Sequence, residues 1–122
     1  MKTTYIKGIL GEQIAEEWLI RHCGMKILER RYRNKAGEID LIMQDRDTIV
    51  FVEVKTREHA IAGTGMMAVD RKKQSRIARC AVLYLMEKNW LNRTARFDIA
   101  EVSDSSVIHV PNAFQPGAMF YR

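Results

Sequence analysis

Apolar side chains recur at spacings of three and four residues near the start of the chain, which is the pattern of an amphipathic helix. The pattern predicts a helix over residues 6–23, with Leu10, Ile14 and Trp18 among its apolar positions. Gly24 directly follows, at the position where a glycine commonly ends a helix. A second helix is predicted over residues 69–89.

The second helix should bury one face against the rest of the protein. Ile77, Ala81, Tyr84 and Leu85 recur at helical spacing within residues 69–89. This spacing places the four side chains on one side of the helix.

The segments between and after the helices are rich in β-forming residues. Strands are predicted over residues 25–28, 38–44, 48–57, 95–102 and 107–110. Residues 45–47 are a polar turn that joins two of these strands as a hairpin. Residues 58–65 have little pattern and two glycines, which predicts a mobile loop, and Pro111 begins an irregular tail.

The order of elements predicts one α/β domain with a mixed sheet. The chain has 122 residues, the size of one ordinary domain, and we assign the domain to residues 1–114 and a tail to residues 115–122. The start lacks the long apolar stretch of a signal peptide, and no run of about eighteen apolar residues occurs. The sequence therefore predicts neither export nor a membrane span.

Charge and cysteine content indicate the type of partner and the cellular compartment. Twenty Lys and Arg residues stand against fifteen Asp and Glu residues, so the net charge is +5. This surplus favours a polyanionic partner, although a basic protein without such a partner has the same count. Cys23 and Cys80 form neither a disulfide framework nor a zinc set, which favours a reduced protein of the cytoplasm.

The hairpin carries the most informative residues. Residues 48–57 are apolar on both faces, as in a central strand, but Glu53 and Lys55 interrupt one face. If the hairpin closes with a two- or four-residue turn, Asp40 lies opposite Glu53 and Glu38 lies opposite Lys55.

Two opposed carboxylates have Cβ atoms about 5 Å apart and repel each other unless a cation lies between them. Oxygen ligands of this kind suit Mg²⁺, and Lys55 on the same face could orient a water or stabilise charge on a phosphate. The parts of a metal-assisted phosphodiester hydrolase are therefore present. The alternative is a salt-bridge cluster in which Lys55 and a nearby Arg neutralise Asp40 and Glu53.

The helices carry residues that could complete such a site. Glu12 borders the apolar face of the first helix, either as an added ligand or as a boundary residue paired with an Arg. Lys73 and Gln74 could lie on the inward side of the second helix, near the hairpin. Lys72 and Arg76 look exposed, and they either meet phosphates or are simply solvated.

These motifs, in this order, resemble the YraN-like family of small bacterial proteins. The matching residues are Gly8, Gly11-Glu12, residues 37–42, residues 51–57, Val69-Asp70, Lys73-Gln74, Arg96-Phe97-Asp98 and Asn112-Ala113-Phe114. That family is similar to the restriction-endonuclease-like superfamily, whose members include Holliday-junction resolvases. The resemblance implies a restriction-endonuclease-like fold, a mixed central β-sheet flanked by helices.

The resemblance also implies a catalytic site, residue by residue. The implied metal ligands for Mg²⁺ or Mn²⁺ are Asp40, Glu53 and the Val54 carbonyl. The implied catalytic set is Glu12, Asp40, Glu53, Lys55 and Gln74. Lys55 would assist the attacking water, and Glu12 and Gln74 would support the site.

The expected function is a metal-dependent endonuclease acting on DNA, including branched or otherwise structured DNA. The residues expected to bind nucleic acid are Arg31, Arg33, Lys35, Arg57, Lys72, Lys73 and Arg76, with Tyr32 as an aromatic candidate. Two alternatives stay open: a non-catalytic nucleic-acid-binding accessory protein, and a protein-interaction domain with a relic site. Analogy with resolvases also allows a homodimer.

Overall fold

The computed structural model describes residues 2–57, 69–104 and 106–115, with side chains from residue 8 onward. Within these residues the chain forms two helices and five strands. In chain order they are α1 (Lys2–Cys23), β1 (Lys26–Asn34), β2 (Gly37–Asp45), β3 (Thr48–Thr56), α2 (Arg71–Glu87), β4 (Ala95–Ser103) and β5 (Ser106–Phe114).

The five strands form one mixed sheet in the order β1-β2-β3-β4-β5. Strands β3 and β4 are parallel, and the other neighbouring pairs are antiparallel. A parallel pair needs a crossover connection, and α2 provides it. The helices pack on opposite faces, so the prediction of an α/β fold with a mixed central sheet flanked by helices is confirmed.

The α1 face of the sheet has its own core. Ala15 and Leu19 are fully buried against Leu41 and Val52. Leu10, which the periodicity placed among the apolar positions, is instead 49% exposed. The apolar pattern of α1 is thus broader than the face that the sheet can cover.

The α2 face is built around Phe51 and Tyr84, whose rings meet edge to face at 6.0 Å. Helix α2 begins at Arg71 rather than at residue 69, because Asp70 is the N-cap: its backbone is extended and its side chain accepts from the Lys73 N–H. The predicted burial of Ile77 on this helix is confirmed.

Strand β1 is longer than predicted, because it continues through the basic run to Asn34. Charged residues on an exposed edge strand produce no apolar signal. Tyr32 packs its ring edge to face against Tyr84 at 4.9 Å and donates a hydrogen bond to Glu87. The side chain therefore belongs to the periphery of the α2-side core.

Strand β5 runs through Pro111 to Phe114, so the prediction that an irregular tail begins at Pro111 is wrong. Proline is tolerated on an edge strand, where one side of the backbone needs no partner. The β4–β5 register shifts between Phe97 and Ile99, and Asp98 Oδ1 accepts the Asn112 N–H at 2.9 Å. The Asp98 carboxylate thus accepts a hydrogen bond that a backbone carbonyl would accept in a regular ladder.

The predicted mobile loop, residues 58–65, lies outside the described residues. Of the predicted tail, residues 115–122, only residue 115 is described. Neither described helix is long and apolar enough to cross a membrane.

Candidate active site

The site lies where β2 and β3 separate. The ladder pairs Asp45 with Thr48 and continues to Leu41 and Val52, which confirms the predicted register for this part of the hairpin. The paired ladder ends there. Asp40, which was expected directly opposite Glu53, instead accepts the Val54 N–H through Oδ2 at 2.8 Å.

The strands separate because β2 changes its facing at Asp40. Ile39 and Ile42 both belong to the α2-side core, whereas Leu41 belongs to the α1-side core. Strict alternation would put Ile39 on the α1 side. The change turns the start of β2 away from β3, and the Asp40 carboxylate fills the opening.

Glu53 is the buried acid of the site, with only 7% of its surface exposed. Its Oε2 atom lies 3.2 Å from Lys55 Nζ and 2.6 Å from Lys73 Nζ. Lys55 comes from the same strand, and Lys73 comes from the first turn of α2. The fold therefore brings together Asp40, Glu53 and Lys55, as the sequence predicted, and Lys73 joins them from the inward side of α2, where it was also expected.

Burial and mutual repulsion perturb the protonation of these groups. Burial, together with the nearby Glu53 carboxylate, raises the pKa of Asp40 to about 8. Burial and the neighbouring Lys73 ammonium lower the pKa of Lys55. Burial would also lower the pKa of Lys73, but its hydrogen bonds to Glu53 and Lys55 outweigh this effect and raise it. A cation between the carboxylates would favour their charged forms.

Glu12 stands at the margin of the site. Burial raises its pKa, against the opposing effect of Arg31, whose Nη1 atom lies 3.4 Å from Glu12 Oε1. The preceding Gly11 allows α1 to approach the end of β3, because an added Cβ there would clash with Thr56 Oγ1. Glu12 is thus brought near the hairpin while being paired with an Arg, as in the alternative prediction for this residue.

An open cleft of about 360 Å³ gives access to the carboxylates. Its lining combines acidic and basic groups with one apolar side chain. The lining residues are Gly37, Glu38, Asp40, Glu53, Lys73, Arg76 and Ile77. Such a cleft can receive a polar, anionic group and hold it near both acids and cations.

The other predicted site residues make contacts of their own or are exposed. Gln74 donates from Nε2 to the Val69 carbonyl at 2.9 Å, so its amide nitrogen braces the start of α2. Arg33 pairs with Glu38 at 3.5 Å, and Arg57 Nε lies 3.9 Å from Glu101 Oε1. The three remaining predicted cations, Lys35, Lys72 and Arg76, are exposed.

Sequence reasoning missed Glu101. This acid is only 2% exposed, and in the parallel ladder it lies beside Lys55. The signal was available, because a charged residue interrupts the apolar run of β4 just as Glu53 interrupts β3. Its place beside the site depends on the parallel register, which the sequence did not predict.

The donor set fits a hard divalent cation. Asp40, Glu53 and the Val54 carbonyl offer oxygen atoms, and Mg²⁺ characteristically takes one or two carboxylates and keeps several waters. No group of three or more His, Cys, Asp or Glu side chains in the described part of the chain has a metal-binding arrangement. Two carboxylates and the main chain are therefore the set to consider.

A second polar cluster lies on the α1 face. Cys23 Sγ is 3.8 Å from His109 Nδ1, and His109 Nε2 is 2.7 Å from Asp98 Oδ2. This order of groups is that of a nucleophilic triad, but burial raises the pKa of the Cys23 thiol and so disfavours the thiolate. Asp98 also accepts from Arg96 and the Asn112 N–H, which makes it the centre of a structural network.

Comparison with known proteins places the chain among relatives of unassigned function. A family model described as "Uncharacterised protein family UPF0102" matches residues 11–102. A UPF0102 protein of Persephonella marina is 39% identical over 91% of this chain and 95% of its own length. A UPF0102 protein of Clostridium botulinum is 44% identical over 88% of this chain and 93% of its own length.

The chain also aligns with a solved structure. It is Pyrococcus furiosus SfsA in complex with Ca²⁺, with 14% identity and a TM-score of 0.34. The alignment covers 88% of this chain and 63% of that one, so this chain spans less than two thirds of SfsA. At that TM-score the likeness carries no argument about this site.

Proposed function

This chain belongs to the uncharacterised protein family UPF0102, and we propose that it is a divalent-metal-dependent endonuclease that hydrolyses phosphodiester bonds in DNA, including branched or structured DNA. One observation carries the proposal: two adjacent carboxylates and two lysines meet at the opening between β2 and β3, beside an accessible cleft.

A structural role alone is a poor explanation of this cluster. Buried ion clusters seldom add net stability compared with apolar packing, because each charge must be desolvated. Here the charges lie at the end of a strand that is otherwise wholly apolar from Ile49 to Val52. Ionisable groups with perturbed pKa values beside a cleft are typical of functional sites.

The chain's own residues suit hydrolysis of a phosphodiester. Asp40, Glu53 and the Val54 carbonyl would hold Mg²⁺ or Mn²⁺, and the bound ion would supply Lewis-acid activation of water and neutralisation of charge on the phosphate. Lys55 projects beside Glu53 and can orient the attacking water or donate to a phosphate oxygen.

Exposed cations extend the site toward a polyanion. Arg76 lines the cleft, and Lys72 lies one turn earlier on α2. With a net charge of +5, these side chains favour a nucleic-acid backbone over a neutral substrate. The two free cysteines suit a reducing compartment, and we place the protein in the cytoplasm on that ground.

The test is a cleavage assay on duplex, single-stranded, flapped and four-way DNA, with Mg²⁺, with Mn²⁺ and with EDTA. Asp40→Asn, purified in parallel, controls for contaminating nuclease because it removes a ligand and keeps the size of the side chain. We expect metal-dependent cleavage that the variant loses. Equal cleavage by the variant would overturn the site assignment, and no cleavage with intact DNA binding would favour the accessory-protein alternative.

A further inference from the structure

Two ammonium groups converge on a single carboxylate oxygen in the cleft. Lys73 Nζ lies 2.6 Å and Lys55 Nζ lies 3.2 Å from Glu53 Oε2. A contact of 2.6 Å is at the short end of the range for charge-assisted hydrogen bonds. One of the oxygen atoms best placed to bind a metal is therefore already bound to a cation of the protein itself.

The carboxylates around the cleft also have cations of the protein beside them. Glu12 is paired with Arg31, and Glu38 is paired with Arg33. Asp40 and Glu53 have two lysines beside them. A divalent cation that binds Asp40 and Glu53 would add two positive charges beside Lys55 and Lys73, so one of the lysines must withdraw or remain at a repulsive cost.

The two lysines differ in their freedom to withdraw. Lys55 is on a central strand and its side chain is 19% exposed, whereas the Lys73 side chain is 38% exposed on the first turn of α2. Lys73 also opens onto the cleft that Arg76 lines. Lys73 is therefore the lysine with room to swing away from Glu53 into the cleft, where it would meet an incoming phosphate.

We propose that Lys73 is an internal counter-cation that occupies the metal-binding oxygen of Glu53 in the metal-free protein and is displaced when the metal binds. The inference rests on the proposed function, because it uses the same metal site. The inference adds that the Lys73 ammonium competes with the metal for Glu53 Oε2. It also adds that the displaced ammonium then binds the substrate phosphate. Metal binding should thus be weak in the free protein and stronger when DNA is present.

Mn²⁺ binding to the full chain tests the proposal without any measurement of cleavage. Isothermal titration calorimetry would compare the parent with Lys73→Met, Lys73→Arg and Lys72→Met. Lys72→Met is the matched control, because this exposed neighbour undergoes the same change in charge and side chain. Lys73→Gln is a second test variant, and thermal unfolding in EDTA checks that each protein is folded.

We expect Lys73→Met to bind Mn²⁺ about tenfold more tightly than Lys72→Met does, which is within the usual range of coupling between sites. Lys73→Arg keeps the charge and should stay within about twofold of the parent. Equal affinities of Lys73→Met and Lys72→Met, or no binding to any variant, would overturn the inference.

The outcome is separable from the fate of the nuclease proposal. Tighter Mn²⁺ binding by Lys73→Met in a protein that cleaves no DNA would support the counter-cation and reject the nuclease. Metal-dependent cleavage by the parent, with unchanged Mn²⁺ affinity on removal of Lys73, would do the opposite.

Discussion

The Asp40 carboxylate accepts a hydrogen bond from the Val54 N–H at 2.8 Å, at the point where the ladder between β2 and β3 has ended. This contact ties the start of β2 to β3 while leaving the strands apart. It also brings Asp40 beside Glu53, whose charge contributes to the raised pKa of Asp40. Asp40 therefore has two effects. It satisfies the Val54 N–H where the ladder has ended, and it places a second carboxyl group beside Glu53, which raises the pKa of Asp40.

The first prediction follows from the raised pKa of Asp40. The pKa of Asp40 is about 8 in the folded protein, against about 4 in an unfolded chain, so between these values the folded state holds the extra proton. Stability of the metal-free protein must then fall as pH rises through this window. Asp40→Asn carries no charge and keeps an acceptor for Val54, so in EDTA at pH 8 it should be more stable than the parent by on the order of 1 kcal/mol.

Urea unfolding at a series of pH values measures this difference, which should shrink toward zero near pH 4. Asp47→Asn, which changes an exposed acid in the turn of the same hairpin, is the matched control and should show no such trend. A less stable Asp40→Asn at pH 8 would contradict the argument.

How far the sequence predicts this site can be judged from the hairpin. Alternation and the polar turn predicted the register from Leu41 to Asp45, because a one-residue slip would expose a buried face. They could not predict that Asp40 leaves the ladder, since a side chain that replaces a backbone partner has no periodic signal. The predicted grouping of Asp40, Glu53 and Lys55 still holds, because the strands separate so little that Asp40 reaches the Val54 N–H of β3.

Tertiary packing accounts for what the sequence did not predict. The inward position of Lys73 was predicted, but its pairing with Glu53 depends on how α2 crosses the sheet. The place of Glu101 depends on the parallel register of β4. The extent of β5 depends on Asp98 replacing a ladder partner, which makes Pro111 acceptable within the strand. Each of these contacts joins residues that are distant in the sequence.

The second prediction concerns the contact that brings α1 to the site. Gly11 is buried against Thr56, and an added Cβ would overlap the Thr56 side chain. Gly11→Ala should therefore destabilise the protein by about 1–3 kcal/mol, as overpacking of a tight contact does, even though alanine favours a helix. Thermal unfolding measures the loss. Thr56→Ala in the same chain should restore part of it, whereas additive losses in the double variant would place the clash elsewhere.

The third prediction concerns DNA binding along α2. Lys72 and Arg76 are exposed on the side of the cleft, so Lys72→Gln with Arg76→Gln should weaken duplex binding and reduce the slope of log affinity against log salt by about 2. Fluorescence anisotropy at several salt concentrations measures the slope. Arg21→Gln, at the end of α1, changes an exposed arginine that pairs with Glu17 and should leave the slope unchanged. The same loss in both proteins would mean that overall charge, not this surface, binds the DNA.

The fourth prediction uses the buried Asp98, which pairs with Val52 in the ladder and lies on the face of the sheet opposite Glu53. Burial would raise the pKa of Asp98, but hydrogen bonds from His109, Arg96 and the Asn112 N–H outweigh it, so the pKa is lowered on balance. A depressed pKa in the folded state means that the unfolded chain takes up the proton first. The stability that Asp98 contributes is therefore present above about pH 4 and is lost as the pH falls below that value.

Asp98→Asn removes the charge that these donors share and leaves Arg96 with a buried, weaker acceptor, so it should cost about 3–5 kcal/mol at pH 7. The difference from the parent should narrow on acidification, because the parent loses its charged Asp98 there as well. Urea unfolding at pH 7 and pH 3 measures both values. Since Asp98 holds β5 against β4 on the opposite side of the sheet from Glu53, Mn²⁺ affinity of the folded variant should equal that of the parent. A changed Mn²⁺ affinity would show that the two polar clusters communicate through the sheet.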